Sequence, residues 1–282
     1  MYAVTGATGE LGRKVIAGLC NVVPASEIAA IVRNPQKAEA LGVSTRQAEY
    51  GDKEALIRAF DGIDKLLLIS SSSLTTRQLE HQNVINAAVI AGVRHIVYTS
   101  LLHAEQWQVD FKSDHLLTEE WIKASGLEYT LLRNGWYWEN NTVRLPAAVQ
   151  HNVLLGAAGN AQVSWASRQD LADAAVAVLT QSGHTGKTYE LAGDEAYTFA
   201  EMAAEAAKQS GIPINYVNQT EDEFENSLLY FNLPGPIARI IAEIEARGVA
   251  TGVLKNDARV LSTLIGHPTT SLQQAVAEAL MP

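Results

Sequence analysis

Thr5-Gly6-Ala7-Thr8-Gly9-Glu10-Leu11-Gly12 follows directly on a strand-like run, Tyr2-Ala3-Val4-Thr5. It opens a segment in which Leu11, Val15, Ile16 and Leu19 recur at helical spacing. A strand, glycines spaced G-x-x-G-x-x-G and a helix predict the first βα junction of a doubly wound sheet. The spacing differs from G-x-G-x-x-G, but the physics is shared. The first glycine makes the tight turn, the second admits a pyrophosphate to the backbone, and the third lets helix and strand pack closely. Backbone N–H groups and the helix dipole then hold phosphate. Alone, such a triplet is only a glycine-rich turn. Between this strand and this helix, it predicts a dinucleotide cradled by Gly6, Ala7, Thr8, Gly9, Glu10, Leu11 and Gly12.

Outward from the loop, the first half alternates two periods. Short apolar runs lie at Tyr2–Thr5, 28–33, 44–48, 65–70, 95–99 and 128–132. Helically spaced segments separate them, such as Val84, Ala87, Ala88 and Ala91 before the breaker Gly92. Strands alternating with helices predict βαβ units and a parallel sheet. After Arg133 the rhythm loosens. A short apolar run is expected at 162–166, and Ser167-Arg168-Gln169-Asp170 caps a helix to about Thr180. Strands are expected over 188–192 and 213–217, and helices over 199–209 and 221–247. Thr270-Ser271-Leu272-Gln273 caps a terminal helix. The expected fold is α/β: a Rossmann-like doubly wound parallel sheet with a smaller, interleaved C-terminal α/β substrate domain. The expected boundaries are 1–135, receiving later segments around 162–192, and 136–282.

Composition narrows the function classes. The chain has 282 residues, 47% hydrophobic and 18% charged, with a net charge of −10. That is a globular composition, long enough for a large core without staples. A single cysteine, Cys20, excludes an internal disulfide framework and a cysteine-based zinc site. Seven histidines lie scattered without ligand spacing, so no metal is expected. An acidic chain without a basic run is a poor partner for nucleic acid or an anionic membrane. Apolar stretches such as Leu66-Leu67-Leu68-Ile69 fall far short of the roughly 20 residues of a membrane helix. With a strand expected from Tyr2, no signal peptide is expected. A cytoplasmic protein acting on a small molecule is expected, with a homodimer left open.

The tip of the second strand selects the dinucleotide. NAD sites usually carry an acidic residue there, on the ribose 2′-hydroxyl. Here the strand ends Ile31-Val32-Arg33-Asn34-Pro35, with Lys37 just beyond and no Asp or Glu at the tip. The planar fork of Arg33 suits a 2′-phosphate, and Lys37 adds a point charge. The expected cofactor is therefore NADP(H); the plain alternative is two solvated surface cations.

These stretches, with Tyr129-Thr130-Leu131-Leu132-Arg133-Asn134-Gly135, resemble the NmrA-like atypical short-chain dehydrogenase/reductase family over essentially the whole chain. Leu68-Ile69-Ser70-Ser71-Ser72 and Tyr98-Thr99-Ser100-Leu101-Leu102-His103-Ala104 are most similar to its bacterial quinone-reducing branch. Triphenylmethane dye reductases are similar but less close. The resemblance implies a Rossmann domain, a small substrate domain closing on it and NADPH in the cleft between them. It implies hydride transfer to a quinone as the reaction. It also implies that Ser70, Ser71 and Ser72 pass the inner ribose and pyrophosphate. Asn134, Gly135, Trp136, Tyr137, Trp138 and Glu139 would lie beside the nicotinamide, with Arg168 near. All but Arg168 fall at carboxyl ends of strands, where doubly wound folds place ligands. The serines would equally form an ordinary polar loop, and Arg168 an ordinary surface charge.

Typical short-chain dehydrogenases use a Tyr-x-x-x-Lys pair, and none lies between Ser100 and Gly126. The family's reductase branch has a lysine at the position of His115, a histidine suited to proton donation near neutral pH. Quinone reduction asks for one donor to a developing oxyanion and for flat apolar walls. Trp136, Tyr137 and Trp138 supply that chemistry, with at least one expected to face the core. Tyr137 is the preferred donor, with His115 and Ser100 behind it. A packing cluster without substrate contact is the plain alternative. The missing Tyr-x-x-x-Lys pair also leaves open a non-enzymatic NADP(H)-binding redox sensor, and the same cofactor machinery would serve a dye reductase. Asp52 is placed near adenine or in a turn, and Cys20 is expected to be packed rather than reactive.

Overall fold

A computed structural model of the chain describes residues 1–73 and 75–281. Its first stretch runs β1 (Tyr2–Thr5), α1 (Glu10–Cys20), β2 (Ile28–Val32), β3 (Ser44–Gln47), α2 (Lys53–Ala59), β4 (Lys65–Leu68) and α3 (Arg77–Ile90). Then come β5 (His95–Leu101), α4 (Phe111–Ala124), β6 (Glu128–Asn134), α5 (Trp138–Thr142), α6 (Leu145–His151) and β7 (Val153–Gly156). The remainder is α7 (Arg168–Thr180), β8 (Lys187–Leu191), α8 (Phe199–Ser210), β9 (Asn215–Asn218), α9 (Glu221–Tyr230), α10 (Gly235–Glu243), α11 (Val260–Ile265) and α12 (Leu272–Leu280). Two compact units share these elements. The first holds Met1–Ala104, Phe111–Asn134 and Arg168–Leu191; the second holds Glu105–Asp110, Gly135–Ser167 and the chain from Ala192 onward.

The first unit is a seven-stranded sheet in the order β3-β2-β1-β4-β5-β6-β8, with every pairing parallel. Parallel strands covered on both faces read as continuous apolar runs. Ile28-Ala29-Ala30-Ile31-Val32 is buried at every residue, and so is β5. The edge strand β3 is polar and half exposed, which discourages further pairing. One face of the sheet packs Leu66, Leu68, Ile96 and Leu131 against Leu56, Val84 and Ile122 from α2, α3 and α4, and against Phe60 just past α2. α1 buries Leu11, Val15, Ile16 and Leu19, each worth about 1.5–3 kcal/mol by area. α1 also packs on α7. They approach so closely that a Cβ on Gly18 would lie 2.9 Å from Val176. From β1 the chain builds outward one way to β3, then returns to β4 and builds the other way. The order reverses between β1 and β4, and at such a switch point the carboxyl ends leave a ligand crevice.

The second unit carries a two-stranded parallel sheet, β7 with β9, and helices. Capping boxes at Thr198, Thr220 and Ser271 open α8, α9 and α12. Phe224 and Leu228 of α9 pack on Ala238 and Ala242 of α10. Three readings of the sequence are corrected here. The run 162–166 is not a strand: it makes only single bridges, Tyr137 to Ala166 and Val163 to Tyr197. Its backbone divides among several loops, with Ser164 N–H donating to the Leu254 carbonyl and Gly193 N–H to the Ser164 carbonyl. The last strand covers Asn215–Asn218 rather than 213–217, because its partner Val153–Gly156 sets the register. Cys20 is exposed, since it falls just off the stripe that α1 buries.

Candidate cofactor and active site

The glycine loop sits at the carboxyl end of β1, beside the switch point. Gly6 adopts the left-handed φ of +59°, and its carbonyl accepts the Gly9 N–H at 2.9 Å. A Cβ on Gly12 would lie 2.4 Å from the Gly6 oxygen and 2.7 Å from Ala7 Cα, so only glycine lets the helix start this close to the turn. Gly6, Gly9 and Glu10 are exposed, so the outer side of the cradle is open to a ligand. Beneath it, the Tyr50 hydroxyl lies 2.6 Å from Thr5 Oγ1 and 2.7 Å from the Ile69 carbonyl. Burial pushes the Tyr50 hydroxyl well above the usual phenol range, so it stays protonated. Tyr50 thus joins the ends of β1 and β4, a role its place after the third strand did not reveal.

Arg33, at the tip of β2, is exposed and its side chain has no partner among the described residues. Lys37 is exposed in the short 3-10 helix Pro35–Leu41, which Asn34 caps by accepting the Gln36 N–H at 3.0 Å. The cations expected at the ribose end of the site therefore stand unneutralised. Asp52 accepts the Ala55 N–H at 2.9 Å and caps α2, the turn role of its two readings.

Ser70, Ser71 and Ser72 follow β4, and buried groups hold the first two. Ser70 N–H donates to Thr99 Oγ1 at 2.9 Å, and Ser71 N–H to His81 Nε2 at 2.9 Å. Ser71 Oγ donates to Glu80, and Arg77 Nε donates to the Ser71 carbonyl at 2.8 Å. Ser72 is exposed. The network assigns the His81 tautomer. Nε2 accepts from Ser71, so the proton is on Nδ1, 2.8 Å from Thr118 Oγ1, whose own hydroxyl donates to the Asp114 carbonyl. Burial lowers the His81 pKa to about 3, which keeps the ring neutral and able to accept. His81 holds the serine loop, although it carried no ligand spacing in the sequence.

His115, the histidine expected as a proton donor, lies in α4. It is buried, its Nδ1 lies 2.8 Å from the Tyr98 hydroxyl, and desolvation lowers its pKa to about 3. The ring is neutral at neutral pH and packed edge-on by Phe111. Ser100 is also buried. Its hydroxyl donates to Glu119 Oε1 at 2.6 Å within a buried network. There Arg133 grips Glu119 through Nε at 2.9 Å and Nη2 at 2.7 Å, and reaches Glu190 through Nη1 at 2.9 Å. Glu190 in turn accepts the N–H of His103, a residue held at a φ of +49°. Asn134 ends β6 buried, and its carbonyl accepts the Leu102 N–H at 3.0 Å. Arg168 is the half-buried first residue of α7.

Gly135–Glu139 belong to the second unit. Gly135 is buried, and Trp136, Tyr137 and Glu139 are half-buried. Trp136 lies against the buried Trp107, with ring centroids 5.9 Å apart. Trp138 is the member of the aromatic triplet that faces the core. It is 1% exposed, stacks on Trp165 at 4.8 Å and donates its indole N–H to the Thr270 carbonyl. As the first residue of α5 it is buried while its neighbours Tyr137 and Glu139 are half-buried.

Comparison with known proteins agrees with this geometry. The model of the family described as NAD(P)H-binding matches residues 6–182. Quinone oxidoreductase 2 of Escherichia coli (strain K12) is 50% identical over 280 residues, covering 98% of each chain. The crystal structure of the NADPH-dependent quinone oxidoreductase of Escherichia coli complexed with NADPH is 49% identical, with a TM-score of 0.96 and full coverage of both chains. The triphenylmethane reductase of Citrobacter sp. complexed with NADP(H) is 38% identical, with a TM-score of 0.96 over 99% of this chain and 100% of that one. Among the described residues no helix is long and apolar enough to cross a membrane, and no group of side chains suits a metal ion. An open glycine cradle at a Rossmann switch point and a family model over most of its length place the chain in the NAD(P)H-binding family, in its NmrA-like branch of reductases.

Proposed function

We propose that this protein is an NADPH-dependent quinone reductase. The observation that carries the reading is the 50% identity to the Escherichia coli quinone oxidoreductase across 98% of both chains. The cradle fits the cofactor, because Gly12 leaves no room for a side chain on the inner side of the loop, Gly6 takes the left-handed turn, and the outer side is open. NADPH, when bound, supplies a hydride from nicotinamide C4 to the quinone, and one further proton completes the hydroquinone.

The chain's own residues divide the remaining work. N–H groups of the Gly6–Gly12 loop and the α1 dipole hold the pyrophosphate. Arg33 and Lys37 hold the 2′-phosphate. Ser70 and Ser71, fixed from behind by Thr99 and His81, line the ribose with Ser72. Asn134, Gly135 and Glu139 flank the nicotinamide, with Arg168 near it. Trp136, backed by Trp107, offers the quinone an aromatic wall. Tyr137 donates the proton to the developing oxyanion. Holding two rings at reacting distance accounts for much of the acceleration, since a quinone is already electron-poor.

The test is NADPH oxidation, followed by nicotinamide absorbance, with benzoquinones and naphthoquinones added. Turnover that saturates with quinone is expected. Direct NADPH binding without turnover on any quinone would overturn the reading. The 38% identity to the dye reductase favours a second substrate class on the same cofactor. Faster reduction of cationic triphenylmethane dyes than of quinones would make that the principal activity.

A further inference from the structure

The guanidinium of Arg13 bridges two segments that the cofactor would touch. Arg13 follows Gly12 in α1, and its N–H donates to the Gly9 carbonyl at 2.9 Å. Its side chain turns back, with Nε donating to the carbonyl of Thr8 in the glycine loop at 2.9 Å. Nη2 crosses to the carbonyl of Lys37, in the turn behind β2, at 3.1 Å. A guanidinium carries five N–H donors. Two are used here, and the other three have no partner among the described residues.

The acceptors matter as much as the donors. Arg77, Arg133 and Arg144 are each tied to a carboxylate, of Asp114, of Glu119 and Glu190, and of Glu245 respectively. Their charge is cancelled where they sit. Arg13 is fixed by carbonyls alone, and no ion pair joins it to a carboxylate among the described residues. It is therefore an ordered, uncancelled positive charge at the ribose end of the glycine loop. Arg33 also carries an uncancelled charge, but on an exposed arm that must be ordered on binding. Arg13 has lost that freedom before any ligand arrives. Arg46 supplies an internal control. Carbonyls of Ala59 and Asp61 hold it too, but its Nη2 lies beside Met1, at the amino end of β1, where a doubly wound sheet binds no ligand.

We propose that Arg13 determines cofactor specificity: it sets the spacing between the glycine loop and the turn behind β2, and it directs its remaining N–H groups at the 2′-phosphate of NADPH. This rests on the cofactor reading above. A strap that was only structural would support NADPH and NADH alike. A fork aimed at the 2′-phosphate supports NADPH selectively.

The experiment is calorimetric titration of the full chain, Arg13→Ala, Arg13→Lys and Arg46→Ala with NADPH, NADH, 2′,5′-ADP and 5′-ADP. Arg13→Ala is expected to raise the Kd of NADPH and of 2′,5′-ADP by roughly tenfold or more, the loss of one charge-assisted contact. NADH and 5′-ADP should weaken by less than about threefold, because they lack the phosphate. Arg13→Lys keeps the charge but not the fork and should recover part of the loss. Arg46→Ala should leave the NADPH-to-NADH ratio unchanged. Equal weakening of both dinucleotides in both Arg13 variants would make Arg13 a strap only and overturn the proposal. So would unchanged binding in both variants. An unaltered protein that binds NADPH no better than NADH overturns the cofactor reading itself, a failure seen before any variant is made.

Discussion

The two sides of the switch point treat charge in opposite ways. At the carboxyl ends of β1 and β2, backbone groups form the surface, and Arg33 and Lys37 stand exposed. At the carboxyl ends of β5, β6 and β8, the charges of Glu119 and Arg133 are buried and spent on each other. The Rossmann sheet is the same on both sides; the difference lies in what each end must hold. An anionic ligand needs uncancelled cations and open N–H groups. Strand ends that only need fixing use buried pairs, which are costly to break but add no net field.

The strongest way to break this comparison is Glu119→Ala. It takes the two Glu119 contacts from the buried Arg133 and leaves it paired with Glu190, and a loss of about 3 kcal/mol in unfolding free energy is expected by urea titration. NADPH affinity of the folded protein should change less than about threefold. A collapse of affinity would instead make the network part of the cofactor site. Gly12→Ala comes next, because its Cβ would meet the Gly6 oxygen at 2.4 Å. Overpacking should cost about 1–3 kcal/mol, and calorimetry should show NADPH binding lost with it. Arg33→Asp probes the open side directly. It should cost NADPH about 1.5–3 kcal/mol of binding and spare NADH; equal losses would remove Arg33 from the 2′-phosphate.

The fourth prediction concerns acid. His81 titrates near its usual 6.5 in the unfolded chain and at about 3 in the fold. As pH falls below 6.5 the unfolded state takes up a proton that the folded state refuses, so stability drops until about pH 3. His115 at about 3 and His95 at about 4 act in the same direction. Each contributes a slope of up to about 1.4 kcal/mol per pH unit. The melting temperature of His81→Asn should therefore fall less steeply from pH 6 to pH 4 than that of the parent, about one of these slopes less. An unchanged slope would mean that His81 is charged in the fold. The smallest effect belongs to Cys20→Ser, an exposed change expected to stay within about 0.5 kcal/mol and to leave turnover intact.

What the sequence made legible follows from the range of each signal. Three glycines between a strand and a helix are a local pattern, and the loop, the strand alternation and the Thr198 cap were readable for that reason, while the terminal box lies one residue later than read, at Ser271 and Gln274. The partners of Arg133 lie 14 and 57 residues away, and the contact from His103 to Glu190 spans 87. No window along the chain brings those groups together. His81 and Tyr50 escaped notice on the same ground, since each acts on a strand end that only the folded sheet brings near. Which of the three aromatics turns to the core was not legible, because stacking on Trp165, far along the chain, settles it for Trp138. Four-residue strands such as Val153–Gly156 carry too few residues to show a period.

The path of the chain has a practical consequence. It passes from one compact unit to the other five times, after residues 104, 110, 134, 167 and 191. No single cut can therefore release either unit whole. A fragment ending at Asn134 would keep the glycine loop but lose α7, leaving the flank of α1 at Gly18 bare, and lose β8 from the edge of its sheet. Limited proteolysis should accordingly yield nicked but still assembled protein, or complete digestion, and no stable nucleotide-binding half.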